Sequence, residues 1–150
     1  MADNLRYSTI TGRLATWRAR KVVTYIESNL SGSILVAVLA RIAGVSCSSF
    51  HRAFRSRFGV TPHMYVTAKR VEFAQVLMLT TNESLSQISL ACGMTDQAHF
   101  TRIFRKLTGK TPGRWRTSRR RQRITQDVIA GELQYQQALR DAPHNFTHSA

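Results

Sequence analysis

Acidic residues are scarce: Asp and Glu total 8 against 22 Lys and Arg in 150 residues, leaving a formal net charge of +14 and a pI near 11.4. Such an excess turns the chain toward polyanions, nucleic acid before acidic membrane. Proline (3) and glycine (8) are too few for a fibrous or linker-like chain. Cys47 and Cys92 are the only cysteines and form no CxxC motif or Cys/His cluster, which disfavours a disulfide scaffold or a zinc site and suits a reducing compartment. The longest unbroken apolar run, residues 34–40, ends at Arg41. A membrane helix needs about 20 such residues, so no membrane partner is expected. The first residues also lack the basic start and apolar stretch of a secretory signal, so a cytoplasmic location is expected. What is abundant is apolar content, 43%, enough for a core in one domain or two very small ones, and arginine, which supplies 18 of the 22 basic residues. The planar guanidinium suits two-pronged contact with phosphate or guanine better than a lysine does.

Laid over itself with an offset of fifty, the chain repeats. Phe50, Arg52, Phe54, Arg55 and Gly59 fall on Phe100, Arg102, Phe104, Arg105 and Gly109. Thr61-Pro62 meets Thr111-Pro112, and Tyr65 meets Trp115. Upstream the offset shortens to forty-nine: Leu39, Ala43, Gly44 and Ser46 align with Ile88, Cys92, Gly93 and Thr95, so the second copy holds one extra residue after its glycine. Each copy reads as helix, tight turn, helix. In the first, Ser33 is expected to cap a helix stopped by Gly44, and Ser46 to cap a second helix from Cys47 to Phe58, closed by Gly59. In the second, Ser84 and Gln87 fit a capping box, Gly93 breaks the helix, Thr95 is expected to cap residues 96–107, and Gly109 closes. The expected fold class is all-α, two helix-turn-helix subdomains joined by a long linker helix.

At 100° per residue, Phe50, Ala53, Phe54 and Phe58 share one face of the first turn-following helix, while Ser48, Arg52 and Arg55 point away and Ser49 and His51 flank them. Its twin turns Phe100, Ile103, Phe104 and Leu107 inward and Ala98, Arg102 and Arg105 outward, flanked by Gln97, His99, Thr101 and Lys106. N-terminal positions of such a helix reach base edges, and basic residues further on meet phosphate. The candidate base-reading residues are therefore Ser48, Ser49, His51, Arg52, Gln97, His99, Thr101 and Arg102. The candidate phosphate contacts are Ser46, Arg55, Thr95, Arg105 and Lys106. Any one exposed arginine is as readily plain solvated charge; recurrence at equivalent positions in two copies favours DNA. Cys47 and His51, at i and i+4, are the one pair resembling an activated nucleophile, but no orienting acid or oxyanion donor accompanies them, so the chain is read as a non-enzyme without metal or cofactor.

Between the copies, Thr61-Pro62 starts a stretch free of glycine and further proline to about residue 80, expected to be one continuous helix. Some eighteen residues at about 1.5 Å span roughly 27 Å, somewhat less than the ~34 Å between successive major-groove openings on one face of DNA. Helix tilt or DNA bending would make up the difference. Arg70, beside Val71, Phe73 and Ala74, is read as a structural ion-pair residue rather than a DNA contact.

These residues resemble the DNA-binding domain of the AraC/XylS family of bacterial transcription regulators. The likeness runs from Ser33 to about Arg116 and lies in Leu39-Ala-Arg-Ile-Ala-Gly-Val-Ser46, Phe50-x-x-x-Phe54, Gly59-x-Thr-Pro62, Arg70-Val-x-x-Ala74, Ile88-x-x-Ala-Cys-Gly93, Phe100-Thr-Arg-x-Phe104 and Thr108-Gly-Lys-Thr-Pro112. An upstream helix at 14–30, with Trp17, Val22, Val23, Ile26 and Leu30 expected inward, extends it. The resemblance implies sequence-specific binding to double-stranded promoter DNA, as a monomer, with activation through RNA polymerase. Four regions follow: an N-terminal arm at 1–13, a first helix-turn-helix subdomain with the linker helix at 14–81, a second at 82–117, and a basic extension at 118–150. The arm is too short to enclose a ligand, and Met1 favours a stand-alone reader over a fragment of a longer regulator. The extension carries Ile124, Val128, Tyr135 and Leu139, which read as a frayed amphipathic helix interrupted by Gly131; residues 142–150 are expected to be disordered. A non-specific packaging protein is the alternative that explains the charge alone.

Overall fold

The computed structural model describes residues 14–141, so the expected arm at 1–13 and tail at 142–150 lie outside the described residues, as does the side chain of Leu139. Among the described residues the chain is all-α, with seven helices and no strand: α1 (Thr16–Ser28), α2 (Val36–Ala43), α3 (Cys47–Phe58), α4 (Pro62–Thr80), α5 (Leu85–Ala91), α6 (Gln97–Thr108) and α7 (Pro112–Asp141). The described residues fall into two compact units, the first ending at Pro112 and the second beginning at Gly113.

Local chemistry explains most of the helix boundaries. Ser46 accepts from the Ser49 N–H to start α3, and Thr61 from the Met64 N–H to start α4, whose first residue is Pro62. Ser84 and Gln87 form the complete capping box of α5. Gly44, Gly59 and Gly109 follow α2, α3 and α6 in the left-handed conformation, where a Cβ would clash with the following carbonyl.

Three boundaries differ from expectation. Asp96, not Thr95, caps α6, accepting from the His99 N–H at 2.7 Å. The capping pair is thus Ser46 and Asp96, fifty residues apart like the helices they start. Ser33 caps nothing: α2 begins at Val36 behind an uncapped Leu35, while Ile34 packs against the core from outside the helix. α1 is shorter than 14–30, and Trp17 is 56% exposed. The buried residues of α1 are Ala19, Val22 and Ile26. Trp17 sits roughly 140° from Val22 around the helix, on the opposite side, under the cations of Arg18 and Lys21.

The first core joins Leu14, Val22, Ile26, Leu39, Phe50, Phe54 and Val66, with Phe58 and Tyr65 packed against it. The rings of Phe54, Phe58 and Tyr65 cluster with centroids 4.4–5.4 Å apart, Phe54 and Tyr65 meeting edge to face. In the second repeat Ile88, Cys92, Met94, Phe100 and Phe104 are buried, as are Val71, Ala74 and Met78 on α4, which packs against α5 and α6. The linker helix therefore serves two cores with two faces. Pro62 and Val66 define one; Val71, Ala74 and Met78 define another, rotated by roughly 130°.

In the second unit α7 runs unbroken through Gly131, contrary to the expected interruption. A helical glycine costs only about 1 kcal/mol relative to alanine, which a 30-residue helix tolerates. Residues 121–137 are all exposed, Ile124, Val128, Leu133 and Tyr135 included.

Candidate nucleic-acid interface

Two structurally equivalent helices carry the candidate site. In α3 the buried residues Phe50, Ala53 and Phe54 anchor one side, and Ser46, Ser48, His51, Arg52 and Arg55 are exposed on the rest, with Ser49 half-buried. In α6 Phe100 and Phe104 anchor the helix, and Gln97, Ala98, Arg102, Arg105 and Lys106 are exposed, with Thr101 half-buried. Thr95 is exposed just before the cap. Each aromatic anchor thus fixes the azimuth of an arginine pair on the far face of its own helix. Among the described residues, none of the guanidinium groups of Arg52, Arg55, Arg102 and Arg105 is engaged in a hydrogen bond or ion pair. Exposed guanidinium groups with no such partner can take phosphate or base-edge acceptors without first surrendering an internal bond.

The local field is not uniformly positive. Asp96 places a carboxylate at the start of α6, where it complements the helix dipole and satisfies an orphan N–H but opposes an approaching phosphate. The equivalent cap on α3 is a neutral serine, whose hydroxyl also donates to Ser49 Oγ at 3.0 Å. His99 is half-buried, and its Nδ1 is buried with no hydrogen-bond partner among the described residues.

The two helices differ at their ends for a structural reason. Arg57 Nη1 donates to the Leu14 carbonyl at 3.2 Å, tying the entrance of α1 to the last turn of α3. The equivalent residue of α6, Leu107, is 49% exposed, and the expectation that it turns inward fails. Ile103 is half-buried. Sequence reasoning missed this use of Arg57, and nothing in the spacing signals it.

Arg70 is a structural residue, as expected, but its partners are carbonyls rather than an acid. Nε donates to the Leu30 carbonyl at 3.0 Å and Nη2 to the Gly32 carbonyl at 2.6 Å. The nearby ion pairs belong instead to Lys69, at 2.8 Å from Glu72 and 4.0 Å from Glu27. The Glu72 hydrogen bond raises the Lys69 pKa above its ordinary value, while burial lowers that of Arg70. Cys92, buried near Arg70, has its thiol pushed up to about 11 by burial. Cys47 is exposed.

Two anchored, N-capped helices, each following a short turn and each turning unpaired arginines outward, define a double helix-turn-helix protein. A family profile described as a helix-turn-helix domain matches residues 39–118. The chain is 40% identical over 91 residues to the probable transcriptional regulator LumQ of Photobacterium leiognathi, covering 61% of this chain and 37% of that protein. It is 33% identical over 123 residues to the transcriptional activator NphR of a Rhodococcus species, covering 76% of this chain and 36% of that protein. The chain thus spans little more than a third of the length of these two regulators. The DNA-binding domain of the global transcriptional factor AdpA, solved in complex with a target DNA, is similar with a TM-score of 0.66 at 30% identity, covering 71% of this chain and 96% of that one. The chain belongs to the AraC/XylS family of transcriptional regulators.

Proposed function

We propose that this chain recognises a promoter sequence in double-stranded DNA by seating α3 and α6 in adjacent major grooves on one face of the duplex. The observation that carries the reading is the paired set of arginines without an internal partner among the described residues, Arg52 with Arg55 and Arg102 with Arg105, on the exposed faces of two helices with equivalent aromatic anchors. Ser48, Ser49, His51 and Arg52 read bases from α3; Gln97, His99, Thr101 and Arg102 read bases from α6, with His99 offering its outer ring nitrogen. Ser46, Arg55, Thr95, Arg105 and Lys106 hold phosphates. The linker helix α4, at 19 residues about 28 Å long, brings the pair somewhat short of the ~34 Å groove repeat, and the DNA bends toward the protein to close the gap. The chain binds as a monomer in the cytoplasm, associated with the nucleoid, and activates transcription by touching RNA polymerase.

Selection of bound duplexes from a random pool, followed by footprinting, tests the reading. The expected product is a split site with its halves one helical turn apart, bound about 10³-fold or more above random DNA at physiological salt. A single short site would leave one helix without a role, and a pool with no enrichment would favour non-specific packaging.

A further inference from the structure

Two helices can read two half-sites at a fixed separation only if the halves of the protein are fixed relative to each other. An open cleft of about 490 Å³, bordered by Ile34, Val36, Val66, Leu90 and Met94, lies between the first repeat, the linker helix and the second repeat. Apolar packing does not fill that space. At its edge, however, three segments converge on one point. The loop after α1 presents the Leu30 and Gly32 carbonyls, which accept from Arg70 Nε and Nη2 at 3.0 and 2.6 Å. The turn after α5 presents Gly93, whose φ of +67° puts it in the left-handed region, and a Cβ built there would stand 2.5 Å from the Leu30 carbonyl and 3.0 Å from Arg70 Nη2. Around α4, Arg70 lies between the face given to the first core by Pro62 and Val66 and the face given to the second by Val71, Ala74 and Met78. It occupies the seam of the linker helix and reaches back to the first repeat, while the glycine of the second repeat closes on the same carbonyl.

We propose that the Arg70–Leu30–Gly93 junction is a staple that sets the half-site spacing this chain accepts, making Arg70 and Gly93 specificity-determining positioning residues that touch no DNA. The idea rests on the two-groove reading above. A guanidinium suits the task because its rigid fork makes two charge-assisted hydrogen bonds to two carbonyls at once and so fixes an angle as well as a distance; a lysine ammonium would hold one carbonyl without fixing the angle. Glycine suits the second position because any side chain would push the turn off the Leu30 carbonyl. Each base pair added to a spacer moves one half-site by about 3.4 Å and rotates it by roughly 35°. A stapled protein cannot follow that movement, whereas an unstapled one can.

The test has one arm without DNA and one with it. In a Cys47→Ser background, spin labels at Ser56→Cys on α3 and Leu107→Cys on α6, both exposed positions outside the proposed contacts, report the separation of the two helices by pulsed electron resonance. The native junction gives one narrow distance distribution, and Arg70→Ala broadens it by several ångströms with the helical circular dichroism retained. In the second arm, affinity is measured across duplexes whose half-sites are separated by the selected spacer and by one or two base pairs more or fewer. The wild type loses about tenfold or more for each change of one base pair, comparable to a mismatched base, while Arg70→Ala flattens the series to within about threefold. Should Arg70→Ala fail to fold, Arg70→Lys and Gly93→Ala carry both arms, with Gly93→Ala shifting the preferred spacer or flattening the series. A spacing-selective wild type matched by equally selective and equally narrow junction variants overturns the staple alone. A wild type indifferent to spacing overturns the two-groove reading and the spacing role with it.

Discussion

Single side chains in this protein divide by what their charge is already committed to. Arg57 and Arg70 are spent on backbone carbonyls inside the first compact unit, whereas Arg52, Arg55, Arg102 and Arg105 have no hydrogen bond or ion pair among the described residues. In the proposed reading Arg102, in the second turn of α6, contacts a base edge and Arg105 meets phosphate. Arg102→Ala is expected to relax discrimination at one base step by about 1–3 kcal/mol. Arg105→Ala should weaken specific and random duplexes alike and lower the salt slope by about 1. Equal losses on both duplexes for Arg102→Ala would contradict its assignment. The two cysteines divide by burial in the same manner. Cys47 is exposed and should react with a thiol reagent at once, while Cys92, at 0% exposure, should react only on unfolding. Burial raises the Cys92 pKa to about 11, so the native state keeps that proton after the unfolded chain has released it. The resulting stabilisation is whole below the ordinary thiol value near 9 and is lost as pH rises from there through about 11. Thermal unfolding of the wild type from pH 8 to 11 should show a steeper decline than Cys92→Ala, the difference amounting to on the order of 1–3 kcal/mol.

Helices here are defined chiefly by their ends, and one cap joins stability to binding. Asp96→Ala removes the side-chain acceptor for the His99 N–H and should cost about 1 kcal/mol of stability. Asp96→Asn keeps a capping oxygen but removes the carboxylate charge at the start of α6, so stability should hold within a few tenths of a kcal/mol while affinity for specific and random DNA rises together. Unchanged affinity in Asp96→Asn would mean that phosphate does not approach the N-terminus of α6. The element scale is also where the sequence was most legible. Apolar spacing, the glycines at 44, 59 and 109, the capping box at Ser84 and the Thr-Pro start of the linker are local signals, and a fifty-residue repeat multiplies all of them but the capping box, which α2 lacks. Arg52, Arg55, Arg102 and Arg105 could be assigned outward because Phe50, Phe54, Phe100 and Phe104 fixed the inner face. What was not legible depends on residues far away in the chain. Arg57 and Leu107 occupy equivalent positions, yet only the first has the Leu14 carbonyl within reach, forty-three residues away. Trp17 is expected inward with Val22 and Ile26 on the upstream helix, but the inner stripe of α1 is set by Ala19, Val22 and Ile26. Thr95 and Asp96 are both good caps in sequence, and only the extra residue of the second turn decides between them.

Across the whole molecule the charge is distributed as the fold is. The compact unit that carries α3 and α6 ends at Pro112, and the second unit opens with Arg114, Arg116, Arg119, Arg120, Arg121 and Arg123 before its first acid, Asp127. From residue 121 to 137 every position of α7 is exposed, so this stretch is held helical by its own backbone hydrogen bonds rather than by a core. A segment with that composition and no burial contributes little to folding, and any selective value it has must come through what it touches. Phosphate is the partner its charge fits. We therefore expect a chain ended after Thr117 to unfold at nearly the same temperature as the full-length protein. Its log–log dependence of affinity on salt should be shallower, by about 0.9 for each of Arg119, Arg120, Arg121 and Arg123 that contacts a phosphate in the full chain, a decrease of roughly 2–4. Because released counterions act on every duplex equally, the ratio of specific to random binding should stay constant while both affinities fall. Identical slopes for the two chains would take these arginines off the DNA. A changed ratio at identical slope would instead make α7 a partner in base recognition, and the twin helices would then not be the sole readers.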